Sequence, residues 1–269
     1  MIEALYSNPV GRAAMKLSLH AGLPKLMAAF LRSPLSRGMV PGYIRKHRIN
    51  MDEYPREDYG SFARFFSREK KELSIDAEPG HLISPADSLL STFPVTEHSG
   101  FFIKGSYYTL RELITDSKLA ARFSGGMCLI FRLTASDWHH YIFPDSGFSH
   151  HSHFIPGELH SVQPIACEKF PVYRLNRRCW TELETENFGR AVQIEVGAMA
   201  VGGIVNRCQG GHFRKGEEKG RFELCGSTIV LLLEKGRAEL LPELREKLEG
   251  GEVRVSAGQW IAVAAGGTE

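Results

Sequence analysis

The sequence predicts an α+β chain, with a helical, basic N-terminal region followed by a mostly antiparallel, β-rich domain, and three observations carry this. Apolar residues between positions 9 and 31 recur at helical spacing. From about residue 82 the texture changes to short apolar runs bounded by Gly, Pro, Asp and Ser. Those runs do not alternate with long helical patterns, which argues against a βαβ parallel sheet.

In order along the chain, Ala14, Leu17, Leu19, Leu23, Leu26, Met27, Phe30 and Leu31 form a broad apolar stripe. They predict one or two helices over 9–31, interrupted at Gly22-Leu23-Pro24. A second amphipathic helix near 60–70 carries Phe62, Phe65 and Phe66. Strands are predicted at His81–Ser84, Met127–Leu133, Ala191–Val196, Ala200–Val205, Thr228–Leu233 and Trp260–Ala264, by length and by β-branched or aromatic content. Residues 237–250 read as a short polar helix or turn before one last strand. The division expected is a helical region over 1–75 and a β-rich domain over 76–269.

Composition narrows the function classes. At 43% hydrophobic and 24% charged the chain is globular. It has no charge-free apolar run of about 18 residues, which excludes a transmembrane helix. Five cysteines without CxxC spacing argue against a disulfide framework or zinc knuckle, and for a reducing compartment. The N-terminus lacks a cleavable signal pattern. Charge is uneven: Ala4–Met51 holds Arg12, Lys16, Lys25, Arg32, Arg37, Arg45, Lys46 and Arg48 and no acid. The other 25 basic residues face all 31 acidic ones. A basic apolar helix points to an anionic membrane surface. Nucleic acid fits less well, because no recognised motif accompanies the charges.

Four segments carry chemistry. They are Ile83-Ser84-Pro85-Ala86-Asp87-Ser88, then Ser136-Asp137-Trp138-His139-His140-Tyr141-Ile142. Thr185-Glu186-Asn187-Phe188-Gly189 follows, with Glu195-Val196-Gly197-Ala198 after it. The fourth is Lys215-Gly216-Glu217-Glu218-Lys219-Gly220-Arg221-Phe222, leading into Gly226-Ser227-Thr228. In this order and spacing the set resembles the phosphatidylserine decarboxylases over nearly the whole chain. A Gly-Ser pair alone would be ordinary turn punctuation before a strand.

The resemblance implies a proenzyme that cuts itself between Gly226 and Ser227. Ser227 Oγ would attack the carbonyl carbon of Gly226, turning the peptide bond into an ester. Elimination and hydrolysis would leave a pyruvoyl group capping the new chain, so Gly226 and Ser227 are the cofactor-forming residues. The products would be a β chain, 1–226, and a 43-residue α chain, 227–269, held together as a heterodimer. A pyruvate-derived ketone is an electron sink for decarboxylation, the role pyridoxal phosphate has elsewhere. The implied reaction converts phosphatidylserine to phosphatidylethanolamine and carbon dioxide at the cytoplasmic side of the cell membrane, peripherally bound. The same chemistry on a free amino acid, and an uncleaved lipid-surface pseudoenzyme, remain open alternatives, as does homo-oligomerisation.

The resemblance also assigns residues. Asp87 would orient a histidine that deprotonates the serine, as in a Ser-His-Asp triad. His139 matches the first motif histidine, expected at the active-site wall for positioning substrate or handling a proton. The second motif histidine, the base for self-cleavage, falls on Ile142, which cannot accept a proton. His140 and His151 are then candidates for a relocated base: a hairpin tipped at Asp145-Ser146 would place them opposite each other, on the Ile142 face. Such histidines could also collect zinc, but no acid stands by to orient them, and no metal is expected.

Overall fold

The computed structural model describes residues 23–96, 100–103, 106–157, 172–197, 203–207, 210–224 and 227–266. The helical N-terminal region comes first. Helix α1 spans Leu23–Arg32, beginning where the Gly-Leu-Pro interruption is predicted. The part of the predicted helix before residue 23 lies outside the described residues. A 3-10 turn, Pro34–Met39, leads into α2, Val40–His47. Helix α3 is short, Phe62–Phe66, and starts where the Ser61 hydroxyl accepts the Arg64 N–H at 3.3 Å. Its three phenylalanines are buried with Leu31, Val40, Tyr54, Ile83, Trp138, Ile142 and Leu224. This helical cluster therefore packs on the end of the β domain.

The β domain is antiparallel throughout, as predicted. Strands β1 (His81–Ile83), β2 (Ser88–Pro94), β3 (Gly100–Ile103) and β4 (Ser106–Thr109) are followed by two helices. Those are α4, Leu110–Ile114, opened by a Thr109/Glu112 capping box, and α5, Ser117–Arg122, capped by Asp116. Then come β5 (Met127–Leu133), β6 (His140–Ile142), β7 (Gly147–Ser149), β8 (His153–Ile155), α6 (Val172–Leu175), β9 (Arg178–Thr185) and β10 (Gly189–Val196). The chain continues through β11 (Gly203–Asn206), β12 (Gly211–Phe213), β13 (Glu218–Glu223) and β14 (Ser227–Leu233). It closes with β15 (Ala238–Leu240), α7 (Pro242–Glu249), β16 (Val253–Val255) and β17 (Trp260–Ala264).

One large sheet runs in the order β12-β7-β9-β10-β14-β5-β2-β16, with β8 also paired to β9. Its centre, β14, is buried at every position. That explains why Ser227–Leu233 reads as a continuous apolar run: both faces are covered. One face packs Cys128, Ile130, Val192, Ile194, Val230 and Leu232 under α4, α5 and α6. The other packs Leu129, Phe131, Leu133, Ile229 and Leu231 against Tyr141 and Phe222 of the small β11-β13-β6 sheet and against Phe143 just past it. The β9–β10 turn uses Gly189 at φ +67°, a conformation a side chain resists, and Asp145 ties that turn by accepting the Asn187 backbone and amide N–H groups at 2.9 and 3.0 Å. The Thr185–Gly189 segment is thus architecture.

One expectation is corrected. The β6–β7 stretch is no hairpin with His140 opposite His151. Strand β6 pairs with β13, placing His140 opposite Arg221, while β7 pairs with β9 and β12. Strand β7 has both edges taken, by β9 and β12, and β6 lies at the edge of a different, smaller sheet on β13.

Candidate active site

Ser227 opens β14, fully buried, and pairs with Leu133 of β5. On β5 the register continues to β2 through Arg132 and Leu89, so Ser88, Leu133 and Ser227 end neighbouring strands at nearly one level. Asp87 and Thr134 lie one residue beyond, which sets Asp87 about 10 Å from the β14 strand end at ordinary strand spacing. Cys225 and Gly226 lie outside the described residues. Just before them, Leu224 is buried in the left-handed region at φ 54°. For a bulky residue that conformation costs about 1–3 kcal/mol, and such strain concentrates at functional sites. No sequence pattern announces it.

Asp87 has both oxygens engaged. Oδ1 accepts the Ala257 N–H at 2.9 Å, and Oδ2 lies 2.6 Å from the Lys70 ammonium. Lys70 also approaches Glu53 at 3.4 Å and stands over the Trp138 ring. Burial works against the Lys70 charge, but attraction and a hydrogen bond to Asp87 outweigh it and raise its pKa. Among the described residues no hydrogen bond or ion pair joins Asp87 to a histidine. Lys70 was not singled out by the sequence, since a lysine in a charged stretch carries no motif.

His139 is completely buried and stacks on Phe66 at 4.0 Å between centroids. Among the described residues neither ring nitrogen has a hydrogen-bond partner. Burial, reinforced by the Arg68 and His140 charges, pushes its pKa down to about 3, against an opposing pull from the Thr134 backbone. His139 is thus a neutral imidazole with unclaimed nitrogens beside the strand end that carries Asp87, Thr134 and Ser227. The 134–139 loop is braced by Arg68, which donates to the Ser136 and Asp137 carbonyls at 3.0 and 3.3 Å. Trp138 Nε1 returns a bond to the Arg68 carbonyl at 3.0 Å.

The other two histidines are placed differently. His140 Nδ1 faces Glu218 Oε1 at 2.9 Å, Nε2 faces the Ser67 carbonyl at 3.1 Å, and the ring stacks on Trp138. Both nitrogens already face an oxygen of a neighbouring segment, which turns the ring toward Glu218 and Ser67. His151 is exposed beyond β7, three strands from β14. Ile142 is buried in the helical cluster, its N–H bonded to the Pro85 carbonyl at 2.9 Å. Among the described residues no group of three His, Cys, Asp or Glu side chains is arranged to hold a metal ion. A cleft of about 540 Å³ lined by Asp145, Asn187, His212 and Lys215 contains none of these residues.

Comparison with known proteins matches residues 60–262 to a family model described as phosphatidylserine decarboxylase. The phosphatidylserine decarboxylase proenzyme 2 of Clostridium acetobutylicum is 39% identical over 97% of this chain and 90% of its own length. The proenzyme of Clostridium kluyveri is 36% identical over 96% of this chain and 90% of its length. That of Fusobacterium nucleatum is 34% identical over 96% and 89%.

Proposed function

The chain belongs to the phosphatidylserine decarboxylase family, and on that premise we propose that it is a self-processing proenzyme converting phosphatidylserine to phosphatidylethanolamine and carbon dioxide. The observation that carries this reading is Gly226-Ser227 at the mouth of the central strand, with a strained Leu224 immediately upstream. A residue that must swing its hydroxyl back on the preceding carbonyl benefits from a backbone already held off its resting conformation.

Ser227 is buried on a rigid strand, so its side chain is aimed by the sheet, as a group built from it would be. The pyruvoyl carbonyl derived from Ser227 supplies the electron sink for decarboxylation. Asp87, fixed by Lys70 and the Ala257 N–H, contributes a held negative charge at that end of the sheet. His139 is neutral at ordinary pH, and among the described residues its ring nitrogens have no close hydrogen-bond partner, which suits it to holding substrate or returning a proton. His140, bonded on both sides, braces the loop instead.

Substrate access lies with the helical region 1–75. On α1, Ala28 and Leu31 are buried while Leu26, Met27 and Phe30 are exposed; Leu35 and Met39 extend the patch. Arg32, Arg37, Arg45, Lys46 and Arg48 surround it in sequence. An apolar face rimmed by cations suits peripheral attachment to an anionic membrane. No described helix is long and apolar enough to cross a membrane.

Intact mass tests the reading. Wild-type protein should appear as fragments 1–226 and 227–269, and Ser227→Ala as one inactive chain. Wild type remaining whole would favour the uncleaved pseudoenzyme, for which Ile142 is the supporting observation. Assay on phosphatidylserine vesicles against free serine separates the two substrate readings.

A further inference from the structure

Ser227 has a titratable neighbour on its own face of the sheet that no motif reading uses. Strand β14 pairs with β10 so that Ile229 faces Glu195 and Thr228 faces Val196. Side chains alternate along a strand, so Ser227, Ile229 and Glu195 share one face. That is the face on which Ile229 and Leu133 pack against Tyr141 and Phe222. Glu195 is therefore the diagonal neighbour of Ser227 across adjacent strands. Such pairs stand about 7–8 Å apart, a gap that a glutamate and a serine side chain together can close.

Glu195 is fully buried and is held by a buried cation. Lys219 Nζ lies 2.7 Å from Glu195 Oε1. Lys219 comes from the β13 bulge, where the register shifts between Glu218 and Gly220, and so reaches from the small sheet to the large one. Among the described residues the second oxygen, Oε2, has a long contact, 3.4 Å, from Asn206 Nδ2. Asn206 is itself anchored by the Tyr141 hydroxyl, which donates to its Oδ1 at 2.8 Å. The third and fourth recognised segments thus meet here, Glu195 from one and Lys219 from the other.

Buried charges are expensive to keep, and an apolar pair would fill the same space. We propose that Glu195, held by Lys219, is the proton acceptor for Ser227 during self-cleavage, a role that rests on the proenzyme reading above. In the step, the Ser227 Oγ–H proton passes to Glu195 as Oγ bonds to the Gly226 carbonyl carbon. The peptide C–N bond then breaks, and the proton is delivered to the departing Ser227 nitrogen. The result is an ester isomer of the same composition, with Glu195 again ionised and no co-reactant consumed. This arrangement needs no imidazole at position 142. His140 has both nitrogens committed and His151 is exposed three strands away. His139 stacks on Phe66 at 4.0 Å between ring centroids and is left to the substrate.

The experiment follows appearance of the 227–269 fragment by intact mass in full-length protein, alongside thermal unfolding. Glu195→Gln should slow the fragment by about 10²-fold or more, the range for loss of a positioned base. Glu195→Gln/Lys219→Met removes both charges, so no lone buried cation remains, and should melt cooperatively yet stay whole. Hydroxylamine, which opens esters but not peptides, should release the fragment from wild type and not from this double variant, placing the block before the ester. Glu195→Asp keeps the ion pair but draws the carboxylate back about 1 Å, which should slow cleavage by up to about 10²-fold with little change in melting. A folded double variant, or Glu195→Asp, that matures at the wild-type rate overturns the proposal and leaves the pair a structural tie. Wild type that never releases the fragment overturns the proenzyme reading itself.

Discussion

The Asp87 carboxylate closes on the Lys70 ammonium at 2.6 Å, with both side chains largely shielded from water. Lys70 belongs to the segment leaving α3, while Asp87 precedes β2 at the Ser227 end of the large sheet. The ion pair therefore joins the helical region to the catalytic end, in the place where family resemblance pairs the aspartate with a histidine. Around it run three parallel ties: Arg68 to the 136–137 carbonyls, Trp138 to the Arg68 carbonyl, and His140 to the Ser67 carbonyl.

Removing the cation should expose what the pair contributes. Lys70→Met leaves a mostly buried carboxylate with only the Ala257 N–H, and hydrogen bonds to charged groups are worth about 1.5–3 kcal/mol. Denaturant unfolding should show a loss of that size, and Lys70→Arg should recover most of it. Wild-type stability in the methionine variant would mean that solvent replaces the lysine without cost.

The buried His139 predicts acid sensitivity. Its pKa falls from 6.5 to about 3 on folding, so the unfolded chain binds a proton that the folded one refuses. Its stabilising share is complete above pH 6.5 and is lost as pH drops toward 3, at about 1.4 kcal/mol per pH unit. His139→Phe keeps a ring against Phe66 and removes the titration. Its stability should therefore fall less steeply than wild type between those pH values in urea titrations at fixed salt. Equal slopes for the two proteins would show that His139 is solvated in solution.

Much of this fold was legible because both β14 and β5 are covered on both faces, which leaves an unbroken apolar run in the sequence. The α1 start was legible too, because Gly22-Leu23-Pro24 interrupts the helical stripe. Strand β9 was not: Arg178, Thr181, Glu182 and Glu184 interrupt its pattern, and its place is set by pairing with β10, β7 and β8. The same holds for β6, where a local hairpin looked natural until β13 proved to be its partner. At the site, Asp87 and Ser227 stood out through motif context. Lys70, the pairing of Lys219 with Glu195 and the left-handed Leu224 did not, because ion pairs between distant segments and backbone strain leave no spacing to read.

Arg68 should be a sensitive position despite lying outside every motif. It is 2% exposed, sits over the Tyr54 and Phe65 rings, and satisfies two carbonyls of the loop that carries His139. Arg68→Met keeps much of the stem but leaves those carbonyls buried without a donor, at about 1–3 kcal/mol each. The expected result is a drop in unfolding midpoint together with faster hydrogen exchange at Trp138 and His139. A lower midpoint without loop exchange would place the contribution of Arg68 in ring packing alone.

The last prediction concerns the apolar face of the helical region. Leu35 is 81% exposed and Leu26 68%, with Phe30 at 44%, so these side chains on α1 and the turn after it contribute little to folding and are open to an apolar partner. Each basic residue near an anionic surface adds about 1 kcal/mol of attraction, and insertion of the apolar side chains adds about 25 cal/mol per Å² removed from water. Flotation with anionic vesicles should therefore carry wild-type protein at low salt, and less of it as salt screens the charges. Phe30→Glu/Leu35→Glu should melt near wild type, because both positions face solvent, but should stay in the soluble fraction. Cleavage into the two fragments should be unaffected, while turnover of vesicle-borne phosphatidylserine should fall and turnover of a short-chain, water-soluble analogue should not. If the double variant floats as well as wild type, or if neutral vesicles bind the wild type equally at low salt, the membrane face lies elsewhere on the molecule.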